Sequence, residues 1–237
     1  FPYAAPQMPD RFAGLPEIAG TACPAECSLC AEACPTGAVM RSGDSVALDM
    51  GKCLFCSACA KACPSKTIAF TKQHDLAAFR RESLIRTKDS GYEYELQPNR
   101  QIAELCGRSL KIRQVSAGGC AACELDFNVL NTLAWDMGRF SIQVVASPRH
   151  ADCVLVTGPV SRNMLLALKK TYEAVPKPSF VIACGTCAIS GGLYAENPET
   201  CGGVEEILKP DLYVPGCPPH PATLLEALIR FLGRRLR

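Results

Sequence analysis

From residue 110 onward, short apolar runs alternate with stretches in which apolar side chains recur every three or four positions. Nearly continuous apolar runs predict buried strands, and the three-to-four spacing predicts helices. The predicted strands are residues 110–116, 140–147, 152–157, 180–184 and 212–214. The predicted helices are residues 124–136, 163–175, 204–208 and 223–232. This alternation predicts a parallel sheet covered by helices on both faces.

The first part of the chain is organised by a repeat instead. The cysteines at positions 27, 30 and 34 recur 29 residues later at positions 56, 59 and 63, and each group of three is followed directly by proline. A duplicated half-domain with approximate twofold symmetry is therefore expected.

A polar stretch separates these two patterned regions. Its charges alternate in sign, as at Arg80, Glu82 and Arg86, and it has no clean apolar period. Mixed charge runs of this kind are usually solvated, so we predict a linker with one short helix near residues 76–85. The predicted parts of the chain are residues 1–73, a linker at 74–104, and residues 105–237.

Composition changes this picture through cysteine. The 237 residues include 16 cysteines, eight of them between positions 23 and 63. The apolar content of 48% excludes a disordered chain. No apolar run approaches the roughly 18 residues of a membrane span, and the first ten residues lack a signal-peptide pattern. Cysteines in this setting indicate metal binding or redox chemistry rather than a disulfide framework.

Charge and glycine patterns exclude other classes. The 25 basic and 23 acidic residues leave a formal net charge of +2, which gives no indication of a nucleic-acid partner. The glycine-rich signatures of dinucleotide sites and P-loops are absent from the sequence, so we expect this chain to bind no nucleotide.

The second cysteine run reads Cys53-x2-Cys56-x2-Cys59-x3-Cys63-Pro64, which is the spacing of bacterial ferredoxins. Three closely spaced thiolates wrap one iron–sulfur cube, and the fourth cysteine of the run ligates the other cube. The first run, Cys23-x3-Cys27-x2-Cys30-x3-Cys34-Pro35, has one extra residue after its first cysteine.

We therefore predict two 4Fe-4S clusters in this region, each taking three ligands from one run and one from the other. The first is assigned to Cys23, Cys27, Cys30 and Cys63, and the second to Cys53, Cys56, Cys59 and Cys34. Cys23 is the least regular of these ligands, so a three-iron cube at the first site stays open. Zinc stays open as well, although it usually takes two separated ligand pairs.

A further set of cysteines follows the predicted strands of the second region. Cys120 and Cys123 come after the first strand, Cys187 after the fourth and Cys217 after the last. Ligands of parallel sheets bind outside the carboxyl ends of the strands. Loops at that edge are expected to bring the four thiolates together, and Gly118 and Gly119 permit a tight turn there.

Both regions resemble known families. The repeat resembles two-cluster ferredoxins, in particular the ferredoxin-like subunit of complex I and of membrane-bound hydrogenases. The second region resembles the small subunit of nickel–iron hydrogenases and its relative in complex I, through the segments at 117–124, 184–191 and 215–219. That resemblance implies a flavodoxin-like α/β fold after a small α+β ferredoxin domain. It also implies a third 4Fe-4S cluster, with the ligands Cys120, Cys123, Cys187 and Cys217.

The resemblance implies an electron-transfer subunit of an oxidoreductase with three 4Fe-4S clusters. The Cys120-x-x-Cys123 spacing resembles hydrogenase-type subunits, whereas quinone-reducing complex I subunits have two adjacent cysteines. The stretch at 107–164 resembles membrane-bound energy-converting hydrogenases and formate hydrogenlyases, although the spacer Ala121-Ala122 departs from their commonest pattern. The implied partners are a large, 49 kDa-type subunit that holds the nickel–iron site and the membrane-arm subunits. The implied location is peripheral, on the cytoplasmic side of the cytoplasmic membrane. A complex I-like NADH or ferredoxin:quinone module and a zinc- or cluster-stabilised assembly protein stay open as alternatives.

Several polar and cysteine residues fit no ligand spacing. Cys153 and Cys184 are expected to be core residues, and Cys106 and Cys201 also lack cluster spacing. His150 and His220 are expected to make ordinary polar contacts. Two roles stay open for Glu124. It is either a proton-path or interface group, or an acidic residue in the first turn of a helix, where its negative charge interacts favourably with the helix dipole.

Overall fold

The computed structural model describes residues 6–19, 23–24, 27–42, 45–90, 102, 104, 106 and 109–234. Residues 91–101 and 103 of the predicted linker lie outside these residues, as do residues 105, 107, 108 and 235–237 of the last predicted part.

The first region is a small α+β unit. Its strands are β1 (Pro16–Ile18), β2 (Val39–Ser42), β3 (Ser45–Asp49) and β4 (Ile68–Phe70), and its helices are α1 (Leu29–Glu32) and α2 (Ala58–Ala62). Strand β1 pairs antiparallel with β4, and β2 pairs antiparallel with β3. A 3-10 helix at Glu82–Leu84 leads into β5 (Ile85–Arg86), which joins the other side of β3.

The repeat seen in the sequence governs these elements. The starts of β1, α1 and β2, at positions 16, 29 and 39, are each followed 29 residues later by the starts of β3, α2 and β4, at 45, 58 and 68. The prediction of a duplicated half-domain is thus confirmed. Each half supplies a short helix that begins within its run of cysteines.

The second region is a five-stranded parallel sheet in the order β10-β9-β8-β6-β7. Counted within this region, the order is 5-4-3-1-2, the flavodoxin-like arrangement. The strands are β6 (Leu110–Ser116), β7 (Ile142–Val144), β8 (Cys153–Thr157), β9 (Phe180–Cys184) and β10 (Leu212–Val214). The helices are α3 (Ala122–Val129), α4 (Arg162–Glu173), α5 (Thr186–Ser190) and α6 (Pro221–Phe231). The predicted fold class is confirmed.

Two apolar layers cover the sheet, and the alternation along β8 shows how. Val154 and Val156 belong to one layer, while Cys153 and Leu155 belong to the other. The first layer includes residues of α4 and α5 and continues into the first region through Met50 and other buried side chains. The second layer contains residues of α3 and α6. One continuous core therefore joins the ferredoxin-like region to the sheet.

The described half of the predicted linker is packed rather than solvated. Leu76, Ala77, Ala78 and Leu84 are buried, and Ala78 pairs with Tyr213 of β10 through two backbone hydrogen bonds of 3.0 and 2.8 Å. The expectation of a solvated face was wrong for these apolar side chains, which fill the seam between the regions, whereas the charged side chains of Arg80 and Glu82 are exposed as expected. The 3-10 helix at Glu82–Leu84 is the short helix present within 76–85.

Two predicted helices differ in the structure. Helix α3 ends at Val129 instead of residue 136, because Asn131 and Thr132 side chains bond the carbonyls of Asn128 and Val129 and compete with helical bonds. Residues 204–208 form a single turn, with Leu208 N–H bonded to the Val204 carbonyl at 2.8 Å. Gly203, with φ +114°, precedes that turn directly and leaves no room for a longer helix before Pro210.

None of the helices in the described residues is long and apolar enough to cross a membrane.

Candidate iron–sulfur centres

Four cysteines follow the carboxyl ends of the parallel strands. Cys120 lies in the turn after β6, Cys123 is the second residue of α3, Cys187 is the second residue of α5, and Cys217 follows β10. The strand order reverses between β6 and β8, which is where doubly wound sheets open a crevice for a ligand. The topology thus brings residues up to 97 positions apart to one edge.

These four sulfurs are electrostatic neighbours. Burial raises the pKa of the Cys187 thiol to about 12, and the charges of Cys217, Cys123 and Cys120 add to the increase. Burial likewise raises the pKa of Cys217, followed by Cys123 and Cys120. Like charges this close require a cationic partner if the thiols are to be deprotonated together. We refer to these four residues as the third site.

Gly185 leaves the space that the third site needs. It adopts φ +87°, a left-handed conformation that favours glycine, and an added Cβ would lie 2.6 Å from the Cys123 Sγ. Gly192 leaves space for a second sulfur, since a Cβ at that position would lie 3.1 Å from the Cys187 Sγ. Any larger residue at position 185 would push a sulfur out of the site.

Cys184 contacts the third site from the core. It is completely buried in β9, and its thiol hydrogen-bonds the Cys123 sulfur, an interaction that lowers the pKa of Cys123. Its core position agrees with the sequence prediction, but the bond to a candidate ligand was not foreseen.

Glu124 is fixed by a hydroxyl of the neighbouring strand. Its Oε1 accepts a 2.5 Å hydrogen bond from Thr157 Oγ1. Burial alone would raise the pKa of this carboxyl, but the hydroxyls of Thr157 and Ser116 outweigh burial and lower it. The structure thus gives Glu124 a role in tying α3 to β6 and β8 beside the third site.

A second group forms around α2. Burial raises the pKa of Cys53 to about 12, with contributions from the nearby charges of Cys59, Cys34 and Cys56. Burial also raises the pKa of Cys59 to about 11, again with Cys34 and Cys56 nearby. These four residues, called the middle site below, combine three cysteines of the second run with the last cysteine of the first.

Backbone N–H groups point at the sulfurs of the middle site. Ala38 N–H donates to Cys34 Sγ at 3.2 Å, and Phe55 N–H donates to Cys53 Sγ at 3.3 Å. Burial alone would raise the pKa of Cys34, but N–H groups of Thr36, Val39 and Ala38 outweigh it and lower the value. Such hydrogen bonds stabilise thiolates and tune an iron–sulfur cluster.

A third group, called the outer site, collects Cys23, Cys30 and Cys63. Burial raises the pKa of Cys30, and the nearby Cys63 and Cys23 add to the increase. Thr67 joins the other two: its N–H donates to Cys63 Sγ at 3.3 Å, and its Oγ1 lies 3.5 Å from Cys23 Sγ. The irregular Cys23 therefore reaches the predicted group despite the extra residue.

The fourth predicted ligand of the outer site, Cys27, is held by its backbone. Its carbonyl accepts a hydrogen bond from the Arg41 guanidinium, and its N–H donates to the Pro24 carbonyl at 3.1 Å. These contacts fix the loop three residues before Cys30, but the structure does not show the Cys27 sulfur among the other three.

The middle site neighbours both of the others. Cys30 of the outer site is close enough to Cys59 of the middle site to raise its pKa, and Cys56 of the middle site likewise raises the pKa of Cys217 of the third site. The outer and middle sites thus approach through the two ferredoxin-like helices, and the middle and third sites approach across the seam between the regions.

The donor chemistry fits iron–sulfur cubes better than single ions. In the described part of the chain, no three His, Cys, Asp or Glu side chains surround a single-ion position. The sulfurs of a zinc site all lie about 2.3 Å from one ion, whereas each thiolate of a cube binds a different iron. All 16 cysteines are free thiols, and the N–H donors around Cys34, Cys53 and Cys63 suit an anionic cluster.

The remaining cysteines and His220 have structural surroundings. Cys106 and Cys153 are buried beside each other, and Cys201 is half-buried against the core. His220 Nδ1 accepts a 3.1 Å bond from Ala222 N–H and so caps α6, while its ring packs edge-on against Phe12. For His220, the predicted ordinary polar contact is confirmed.

Both regions of the chain match models of known protein families. Residues 120–231 match the family model described as NADH ubiquinone oxidoreductase, 20 Kd subunit, and residues 46–69 match the model for a 4Fe-4S binding domain. The chain is 40% identical over 138 residues to the probable membrane-bound hydrogenase subunit mbhJ of Pyrococcus furiosus. That match covers 57% of this chain and 83% of the relative. The chain belongs to the 20 kDa subunit family of NADH:ubiquinone oxidoreductase.

Two further proteins are similar to this chain. An NADH-quinone oxidoreductase subunit of Geotalea daltonii is 38% identical over 144 residues, covering 59% of this chain and 84% of the relative. A chain in the structure of the membrane-bound sulfane sulfur reductase, an archaeal respiratory membrane complex, is 31% identical with a TM-score of 0.47, covering 53% of this chain and 70% of that chain.

As a family member with a matched 4Fe-4S domain, the chain is an iron–sulfur subunit of an oxidoreductase. The matched 46–69 segment contains the regular cysteine run, whereas the irregular first run lies before it.

Proposed function

We propose that this chain is the electron-transfer subunit of a membrane-associated nickel–iron hydrogenase complex of the formate hydrogenlyase type, with three 4Fe-4S clusters. The outer site would be held by Cys23, Cys27, Cys30 and Cys63, the middle site by Cys34, Cys53, Cys56 and Cys59, and the third site by Cys120, Cys123, Cys187 and Cys217. When bound, such clusters take up and release single electrons.

The succession of neighbouring thiol groups carries this proposal. Cys56 is close enough to affect the pKa of Cys217, which relates the ferredoxin-like region to the sheet, and Cys30 likewise affects the pKa of Cys59, which relates its two sites. A chain that stored or stabilised metal for itself would not require three sites that neighbour one another in succession. One continuous core joins the region of the outer and middle sites to the sheet whose edge carries the third site, which suits a relay that passes electrons from one site to the next.

The chain's own residues prepare each site. N–H groups from Ala38, Phe55 and Thr67 point at sulfurs, which favours the thiolate form and an anionic ligand. Buried sulfurs such as those of Cys30, Cys53 and Cys59 keep water away from the inner face. Hydrogen bonding and burial are the two properties by which a protein sets the potential of such a group.

The partner surface is expected beside the third site. Cys120 and Cys217 are exposed, and helix α3, which begins two residues after Cys120, exposes 64% of Leu125 and 36% of Val129. These two residues are four positions apart and so lie on one face of α3, and Leu133 beyond the helix is 98% exposed. Exposed apolar side chains grouped in this way are typical of a partner surface. The proposed occupant is the large subunit that would hold the nickel–iron site, with membrane-arm subunits completing a peripheral complex on the cytoplasmic side.

The cluster number is tested by metal analysis of the chain purified without air. We expect about twelve iron and as many sulfide per chain, with reduced-cluster signals in electron paramagnetic resonance (EPR) spectra. Cys217→Ala should lose about four of these irons, since one 4Fe-4S cluster then lacks a ligand. Cys201→Ala, the matched control, should keep them all. Zinc without sulfide, or equal iron in both variants, would refute the proposal.

The type of complex is tested on the native assembly. The second candidate, a subunit of a complex I-like NADH or ferredoxin:quinone module, is favoured by the similarity to the NADH-quinone oxidoreductase subunit of Geotalea daltonii. Purification through this chain should yield a large subunit with nickel and hydrogen production from a low-potential donor. A nickel-free large subunit and quinone reduction would favour the second candidate.

A further inference from the structure

Thr186 occupies the seam between the middle and third sites. It is the first residue of α5, directly before Cys187, and only 1% of its surface is exposed. Its hydroxyl donates to the carbonyl of Cys53 at 2.7 Å and lies 3.1 Å from the carbonyl of Gly216. One hydroxyl thus touches the backbone of a middle-site residue and the residue before Cys217.

The two hydrogen bonds of this hydroxyl differ in whether another donor makes the same contact. The Gly216 carbonyl also accepts the Thr186 N–H at 2.9 Å, so that contact within the third site survives without the hydroxyl. The contact with Cys53 is made by the hydroxyl alone, across 133 positions of sequence. Removing it leaves a buried carbonyl without this donor, which is costly inside a protein.

The neighbouring Ser190 provides a natural comparison. It lies one turn further along α5, and its hydroxyl donates to the Gly51 carbonyl at 2.9 Å. Both hydroxyls therefore tie α5 to the same loop, but Ser190 is bonded two residues before Cys53 and Thr186 is bonded to Cys53 itself. A role in general docking predicts equal effects for the two residues.

We propose that Thr186 is a positioning residue that fixes the Cys53 loop against the loops of Cys187 and Cys217, and so sets the separation of the middle and third clusters. This inference rests on the proposed function, because it requires clusters at both sites. Thr186 touches neither sulfur set directly in this role. It acts through the carbonyl of Cys53 and through its own peptide bond to Cys187.

The test uses the full chain, reconstituted and reduced with dithionite without air. In the wild type, EPR spectra should show magnetic interaction between neighbouring reduced clusters. Thr186→Val replaces the hydroxyl by a methyl group of similar size. It should keep the wild-type iron content but weaken the magnetic interaction. The fraction of molecules in which the middle and third sites have moved apart should rise about tenfold, the effect typical of losing one buried hydrogen bond. Thr186→Ser should restore the interaction.

The controls separate positioning from stability and from the proposed function. Ser190→Ala should leave the interaction unchanged, and an equal loss in Ser190→Ala would overturn the inference. An unchanged interaction in Thr186→Val would overturn it too. If Thr186→Val loads less iron, Thr186→Ser is compared with Thr186→Ala instead, since only the serine variant has a hydroxyl. The interaction should be kept in Thr186→Ser and weakened in Thr186→Ala, and equal interactions in the two would overturn the inference. A wild-type chain without about twelve iron would refute the proposed function instead.

Discussion

At the scale of the residue, small side chains and hydroxyls decide whether sulfurs meet. The glycine at 185 and the threonines at 67, 157 and 186 are not ligands, yet each contacts a candidate ligand or its neighbour. Their positions in the fold follow from the sheet edge and the ferredoxin-like loops. A change of one methyl group at these positions therefore acts on a cluster rather than on the core.

Gly185→Ala is expected to remove the third cluster. The new Cβ would lie 2.6 Å from the Cys123 Sγ, well inside contact distance, and the backbone at φ +87° resists any side chain. The iron content should fall by about four per chain, with the ferredoxin-like clusters retained.

Gly37→Ala is the matched control for this change. Gly37 also has a left-handed φ of +60°, but a Cβ there would meet nothing within 4 Å. It should cost about 1–2 kcal/mol of stability from backbone strain without loss of iron. Full iron in Gly185→Ala would contradict the steric argument for the third site.

At the scale of the element, β3 is held by a buried charge pair. Arg81 donates to both carboxylate oxygens of Asp49 at 2.8 and 2.5 Å, and Gly51 N–H donates to the same carboxylate at 2.8 Å. Asp49 is 4% exposed, and Arg81 also lies 3.9 Å from Glu205 in the second region. Burial lowers the pKa of Arg81, but the bond to Asp49 outweighs burial and raises it. The packed half of the predicted linker thus holds both regions.

Arg81→Met is expected to destabilise the chain by about 3 kcal/mol, since removing one partner of a buried pair leaves an uncompensated charge. The thermal midpoint measured without air should fall by roughly 10 °C. Arg80→Met, at an exposed neighbouring arginine, should stay within about 0.5 kcal/mol of the wild type. Equal midpoints for both variants would show that the pair contributes little.

At the scale of the whole molecule, the two faces of the sheet have different surroundings. Helix α3 packs on one face and α4 on the other, and of these two helices α3 alone begins in a loop of the third site. Both helices expose a leucine to a similar extent, at 64% for Leu125 and 62% for Leu166. The position relative to the third site therefore distinguishes two otherwise similar surface leucines.

Leu125→Asp is expected to weaken the association with the large subunit about tenfold or more, because a charge would be buried in an apolar contact. Leu166→Asp should leave the association unchanged. Co-purification of the large subunit with each variant, followed by titration, measures the difference. Equal loss in both variants would place the interface elsewhere.

The sequence predicted the fold class and the repeat of the ferredoxin-like region, because local spacing controls them. Cysteines two or three residues apart must lie close together, and short apolar runs at regular intervals must bury both faces. The predicted bounds of β6, β9 and β10 agree with the structure residue for residue. The end of α3 was missed, since side chains that bond nearby carbonyls stop a helix without interrupting its apolar spacing.

By itself, the sequence determined which cysteine runs repeat and which cysteines follow the strands of the sheet, and so which residues are proposed as ligands. Only the tertiary structure decided that residues 76–78 fill the seam and that Thr186 reaches Cys53. These features depend on the packing of segments more than 100 positions apart. No local period encodes such an approach, because it arises when one shared apolar core brings two separately patterned regions together.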